Sequence, residues 1–364
     1  MRFFVLALLL FLLNSCHVCR FFYWNFADVN DHKKFQSLPV LNNNIDSFHF
    51  KTSKQLIDVH KMKFSMGVEE IPFSKLLQSS KTLALLIIRN DSILLEHYLD
   101  NYNKNKVVPS FSVAKSFVSA LVGIAVDDGL IHSVKDRITK YIPELPEKNY
   151  GKISIEDLLD MRSGLNYNEN YINPFGHVAK SYYGLNLKKY SAELKLKNEP
   201  GSKFEYISVN TQLLGWLVQN ACKKSISHYL EEKIWKPLGM EYAASWSIDS
   251  KKFKLVKAFC CLNACARDYA KFGRLYLKRG NWNGRQIISE KWIDASLDFD
   301  KTNFYSYQWW RKPRNPQEGD FFARGILGQF IYVNPTKNLI IVRLGEKEGN
   351  LNWPLLFQSL SDQF

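Results

Sequence analysis

Pro109-Ser110-Phe111-Ser112-Val113-Ala114-Lys115-Ser116-Phe117 opens a stretch in which Lys115 is the only charged residue between Phe111 and Val126. Its apolar content predicts a buried helix reaching about Asp127, with Gly129 as the stop. A cation inside such a helix costs free energy unless it is paired or used. Ser112 and Lys115 stand three residues apart, so on a helix their side chains project from one face. An amine whose pKa is lowered by burial can take the proton of a neighbouring serine hydroxyl. The helix N-terminus adds free N–H groups that favour developing negative charge. The bland alternative is a lysine snorkelling from a partly buried helix.

Outward from this helix, Thr82 to Tyr98 reads as a hairpin. Leu83-Ala-Leu-Leu-Ile-Ile88 and Ile93-Leu-Leu95 are strand-like, and Asn90-Asp91 supplies the turn. A second hairpin joins Gln329–Val333 to Leu339–Leu344 around Asn334-Pro335-Thr-Lys-Asn338, and a helix from Trp353 to Leu360 follows. Between them lie helical segments at Ile153–Met161, Thr211–Cys222, Ile226–Trp235 and Ala266–Lys278, the last closed by Gly280. Leu165 to Pro200 shows no clean period. Its Tyr- and Asn-rich part, Tyr167–Tyr190, is either a pocket-shaping segment or a surface loop with buried tyrosines. Strands near both ends with helices between predict an α+β fold. One antiparallel sheet is built from both ends of the chain and flanked by helices, with a central, mostly helical lobe. The site is expected in the cleft between them.

The 364 residues are 46% apolar, enough to bury a full core. The formal charge of +14 is spread over single and paired lysines rather than one stripe, so a nucleic-acid partner is not expected. Phe3–Leu13 is an apolar run suited to an export signal, and Leu13-Asn-Ser-Cys16 loosely resembles a lipoprotein cleavage box. An uncleaved anchor reaching Trp24 is the other reading. The expected division is 1–24 as signal or anchor, 25–76 as an irregular wrapping segment and 77–364 as the main domain. The location follows as periplasm or cell envelope, with membrane association through the N-terminus. Adjacent cysteines are strained partners, so Cys260 and Cys261 are read, with Cys222 and Cys265, as small core residues. The single Cys-x-x-Cys pair, Cys16-His17-Val18-Cys19, sits by the export signal, so no metal site is expected.

Pro200-Gly201-Ser-Lys-Phe-Glu-Tyr206-Ile-Ser208-Val-Asn210-Thr-Gln-Leu-Leu-Gly215-Trp and Ala323-Arg324-Gly325-Ile326-Leu327-Gly328-Gln329 make the pattern specific. With Ser112-x-x-Lys115, the chain resembles the serine β-lactamase and penicillin-binding-protein superfamily. Within it, it is similar to the class C β-lactamase-like esterases and 6-aminohexanoate-dimer hydrolases. Ile155–Leu165, Pro237–Met240, Ala266–Gly273 and Gln308-Trp-Trp310 agree, and the resemblance spans about Leu77 to Leu344.

The resemblance implies Ser112 as nucleophile, with Lys115 and Tyr206 moving the proton. The backbone N–H groups of Ser112 and Ile326 form the oxyanion hole, and Gly325 and Ser208 bind substrate. Ser208 stands where the family has an Asn, which weakens the case for β-lactams in particular. The implied function is an exported hydrolase of a small-molecule ester or amide, without cofactor. The alternative is a non-catalytic or slowly acylating penicillin-binding-like envelope sensor. Arg267 and Asp268 are read as bracing residues. His132, His177 and His228 lack a carboxylate motif for a Ser-His-Asp triad.

Overall fold

Leu83–Ile88 is apolar at every position because both faces of its strand are covered. Leu85 and Ile87 join one cluster with Phe73, Leu77 and Phe357; Leu86 and Ile88 join another with Phe272 and Leu275. The same alternation divides Phe330 and Tyr332 from Ile331 and Val333. Helices Phe73–Ser79 and Trp353–Ser361 therefore cover one face of the sheet, and helix Ala266–Leu277 covers the other. The computed structural model describes residues 17–43, 46–66, 69–99, 101–312 and 319–364. Phe3–Leu13 and Cys16 lie outside them.

The main sheet has eight strands, in the order Tyr305–Ser306, Trp309–Trp310, Phe321–Gly325, Gln329–Asn334, Leu339–Gly345, Thr82–Arg89, Ser92–Tyr98 and Lys51–Thr52. The strands from the two ends of the chain meet where Ile340 pairs with Ile88, and all neighbours are antiparallel except the short Lys51–Thr52 edge. The expected α+β architecture is thus observed. Helices Ala114–Asp127 and Ser208–Cys222 pack together, and residues 114–125 are buried throughout. The first helix stops as expected, with Gly129 at φ 73°.

Several expectations change. Segment 25–76 is not irregular. Strand Ser37–Val40 pairs with Ala244–Ser247 in a four-stranded second sheet, and Lys51–Thr52 extends the main one. Residues 17–24, expected in a leader, form a helix with Phe21 buried among Phe35, Tyr182 and Tyr183. Helices His177–Tyr183 and Leu187–Ala192 occupy the stretch without period. Each is under two turns, too short to show a periodicity, and the first is stabilised by packing on the remote helix His17–Trp24. Among the described residues no helix is long and apolar enough to cross a membrane.

Candidate active site

Ser112 lies in a single 3₁₀ turn, Phe111–Val113, that runs directly into the helix carrying Lys115. Phe111 has φ 43°, so the residue before Ser112 is held in a left-handed conformation that costs an ordinary side chain free energy. Lys115 Nζ lies 2.8 Å from Ser112 Oγ, 2.9 Å from the carbonyl of Phe259 and 3.2 Å from Ser208 Oγ. The lysine is 1% exposed, and burial lowers its pKa to about 8 against an opposing pull from Glu169. When the amine is neutral, its two N–H groups have acceptors in the Phe259 carbonyl and Ser208 Oγ. Its lone pair is then left facing the Ser112 hydroxyl.

Tyr206 lies in the loop just before helix Ser208–Cys222, with its ring centroid 5.1 Å from Lys115 Nζ. Its phenol lies close enough to the Ser112 side chain to interact with it, and its ring leans on Trp310 at 5.3 Å. Burial pushes its phenol up, and Glu169 adds to that, so the group is a neutral phenol near pH 7. Ser112, Lys115 and Tyr206 thus converge as expected from sequence.

Gly325 ends a strand laid directly against the serine turn. A Cβ there would stand 2.5 Å from the Ser110 carbonyl oxygen and 3.1 Å from the Ser112 nitrogen. Only glycine permits this approach. Ile326 follows, and with Ser112 it lines one cavity of about 270 Å³. The turn after it is held from behind by buried Arg343, which donates to the Gly328 carbonyl at 2.6 Å.

Ser208 lines the same cavity, and it is also tied into the site from behind. Its hydroxyl donates to Glu169 Oε1 and accepts from Lys115, and its backbone N–H donates to Glu169 Oε2 at 2.8 Å. Glu169 was missed by the sequence reading. It stands inside Tyr167-Asn-Glu169-Asn-Tyr171, an acid among aromatics with no spacing relation to the Ser-x-x-Lys motif. Folding sets it at the N-terminus of helix Ser208–Cys222, where a carboxylate complements the helix dipole. Tyr171 donates to the same carboxylate at 2.8 Å.

A second correction concerns Cys260 and Cys261, which are joined by a disulfide. The backbone turns sharply here, with Cys261 at φ 68° and the Cys260 N–H donating to the Lys257 carbonyl, which brings the neighbouring sulfurs together. Cys222 and Cys265 carry free thiols, and only Cys265 is buried.

The bracing residues behave as expected. Arg267 forms a two-pronged ion pair with Glu96, and Asp268 accepts from the N–H groups of Glu241 and Tyr242. Gln308 reaches Thr211, Leu158 and Leu159, and its carbonyl accepts from Ser116, so it ties three helices behind the site. His177 Nδ1 accepts from the Asn168 N–H, and His228 pairs with Glu232.

A family profile described as Beta-lactamase matches residues 73–352. The chain belongs to the beta-lactamase family. A 6-aminohexanoate-dimer hydrolase from Paenarthrobacter ureafaciens is 26% identical over 302 residues, covering 76% of this chain and 74% of that protein. A structure from Bacillus anthracis, assigned as a 6-aminohexanoate-dimer hydrolase, superposes with TM-score 0.81 at 23% identity over 93% of both chains. The octameric penicillin-binding protein homologue from Pyrococcus abyssi gives TM-score 0.64 at 16% identity, over 80% of this chain and 75% of that one. Both structures share the beta-lactamase-type fold, and the family supports a hydrolase function.

Proposed function

We propose that this beta-lactamase family member is an exported serine hydrolase that cleaves an ester or amide through an acyl-enzyme on Ser112. The observation that carries the proposal is the 2.8 Å contact between Ser112 Oγ and the buried Lys115 amine, whose pKa is pulled down to about 8. Neutral Lys115 takes the Ser112 proton as Oγ bonds to the substrate carbonyl carbon. The resulting oxyanion is held by the backbone N–H groups of Ser112 and Ile326. As the carbonyl reforms, the leaving alcohol or amine receives a proton from the Tyr206 phenol, which is replenished from the Lys115 ammonium. Water then attacks the acyl group by the reverse relay and frees Ser112. Export is supported by the apolar run Phe3–Leu13 and places the reaction in the cell envelope.

The test is intact-protein mass spectrometry with a fluorophosphonate and, separately, with a β-lactam, alongside p-nitrophenyl acetate turnover and the Ser112→Ala variant. Labelling and turnover that vanish in Ser112→Ala are the expected result. A long-lived lactam adduct without ester turnover would instead identify a penicillin-binding-like sensor.

A further inference from the structure

The cavity that reaches Ser112 and Ile326 has an unusual outer wall, made by the chain's own N-terminal segment. Phe21 from helix His17–Trp24 and Phe26 just after it line the cavity, opposite Phe111, Phe259 and Leu327. The Phe21 ring packs edge-on against Tyr183 at 5.4 Å and against Phe26 at 5.5 Å. Ala179, 2% exposed, contributes only a methyl group to the lining of the same cavity.

Among the described residues, no charged side chain lines this cavity. Three tyrosines do, yet each has its hydroxyl engaged by the protein. Tyr182 donates to Asp31, Tyr183 to the Asn25 carbonyl and Tyr171 to Glu169. Their rings therefore present carbon to the cavity while their polar ends are spent elsewhere. Apart from Ser112, the remaining lining hydroxyl is that of Ser208, which is bound to Glu169 and Lys115. A polar or charged acyl substituent would lose its water here without gaining a partner.

Resting on the Ser112 acyl-enzyme described above, we infer that the acyl half of the substrate is an uncharged, linear hydrocarbon chain. The segment 17–27 sets its length. A cavity of about 270 Å³ takes a chain on the order of six to ten carbons, judged against the ~150 Å³ that accommodates benzene in a dry protein cavity. The substrate class is thus a medium-chain fatty acyl ester or amide. An ω-amino acyl compound is disfavoured, because its ammonium would enter an uncharged wall.

The test uses the full chain with p-nitrophenyl esters from acetate to dodecanoate, and with the 6-aminohexanoyl ester beside the hexanoyl one. Because each buried methylene contributes about 0.8 kcal/mol, kcat/KM is expected to rise roughly fourfold per added methylene, or about fifteenfold per carbon pair, to an optimum between hexanoate and decanoate. The 6-aminohexanoyl ester is expected to be at least roughly tenfold poorer than hexanoyl. Ala179→Phe should lower the octanoate-to-acetate ratio by about tenfold or more by filling the cavity. Phe21→Ala should move the optimum to longer chains, and it serves as the second variant if Ala179→Phe does not fold. A flat or falling series, or preference for the aminohexanoyl ester, with Ser112 still labelled by fluorophosphonate, overturns this inference and leaves the serine mechanism standing. No labelling and no turnover of any ester overturns both.

Discussion

On the inner side of the cavity, Ser112 and Lys115 stand three residues apart at the start of one helix. On the outer side, Phe21, Ala179 and Tyr183 come from segments far apart in the chain. The inner side is fixed by the helix repeat and by a helix buried from residue 114 to 125. The outer side exists only because helix His17–Trp24 docks on helix His177–Tyr183. The comparison separates chemistry from selection. The proposed reaction geometry is held by local, densely packed structure, whereas the proposed substrate choice is left to surfaces built over long range in the chain. Losses on the inner side should therefore fall on every substrate alike, and losses on the outer side should discriminate among acyl chains.

The largest effect expected on the inner side is that of Ser112→Ala. Removal of the nucleophile should lower kcat by at least about 10³-fold for all esters with an unchanged thermal midpoint. A variant that keeps wild-type turnover would break the assignment. Next comes Gly325→Ala, which forces a Cβ to within 2.5 Å of the Ser110 carbonyl and displaces the strand beside the oxyanion hole. A kcat loss of roughly 10²-fold, shared by acetate and octanoate, is expected in steady-state kinetics on a still-folded protein. A loss confined to long chains would show that Gly325 belongs to the selecting side instead.

The pH dependence is a smaller effect. Lys115 must be neutral to accept the Ser112 proton, and its pKa is lowered to about 8. Acylation should rise with pH through that value, with roughly a tenth of the full rate at pH 7. Glu169 favours the charged amine, so Glu169→Gln should move this limb to lower pH. Pre-steady-state acylation rates from pH 6 to 10 read both, and a shift to higher pH would contradict the placement of Glu169. Least consequential for rate is the Cys260–Cys261 bridge, whose Cys260 lines the cavity beside Phe259. The tryptic peptide 258–267 holds Cys260, Cys261 and Cys265. Denatured without reductant, it should take one carbamidomethyl group on Cys265, and three after reduction. Three in both conditions would remove the bridge.

The helix stop at Gly129 and the two hairpins, one from each end of the chain, were legible because their signals are local. Turn residues sit between apolar runs, and a glycine follows a periodic segment. Ser112 and Lys115 were legible for a related reason, since one short motif carried them, whereas Tyr206 was legible only through the family resemblance of the stretch around it. Glu169 was not, because what makes it important is its distance from Ser208 and Lys115, and no spacing in the chain encodes that. Helix His177–Tyr183 escaped for want of length. Its buried residues find their partners in Phe21 and Phe35, which lie well over a hundred positions away.

By itself, then, the amino-acid order determined the two hairpins of the sheet, the helix after Ser112 and the pairing of Ser112 with Lys115, since each follows from a backbone period or a motif within a few residues. Only the tertiary structure decided the neighbours of Ser208, the disulfide at Cys260 and the apolar wall contributed by residues 17–27. Those depend on the burial of side chains that meet across the chain, and such contacts form only once the remote segments have packed.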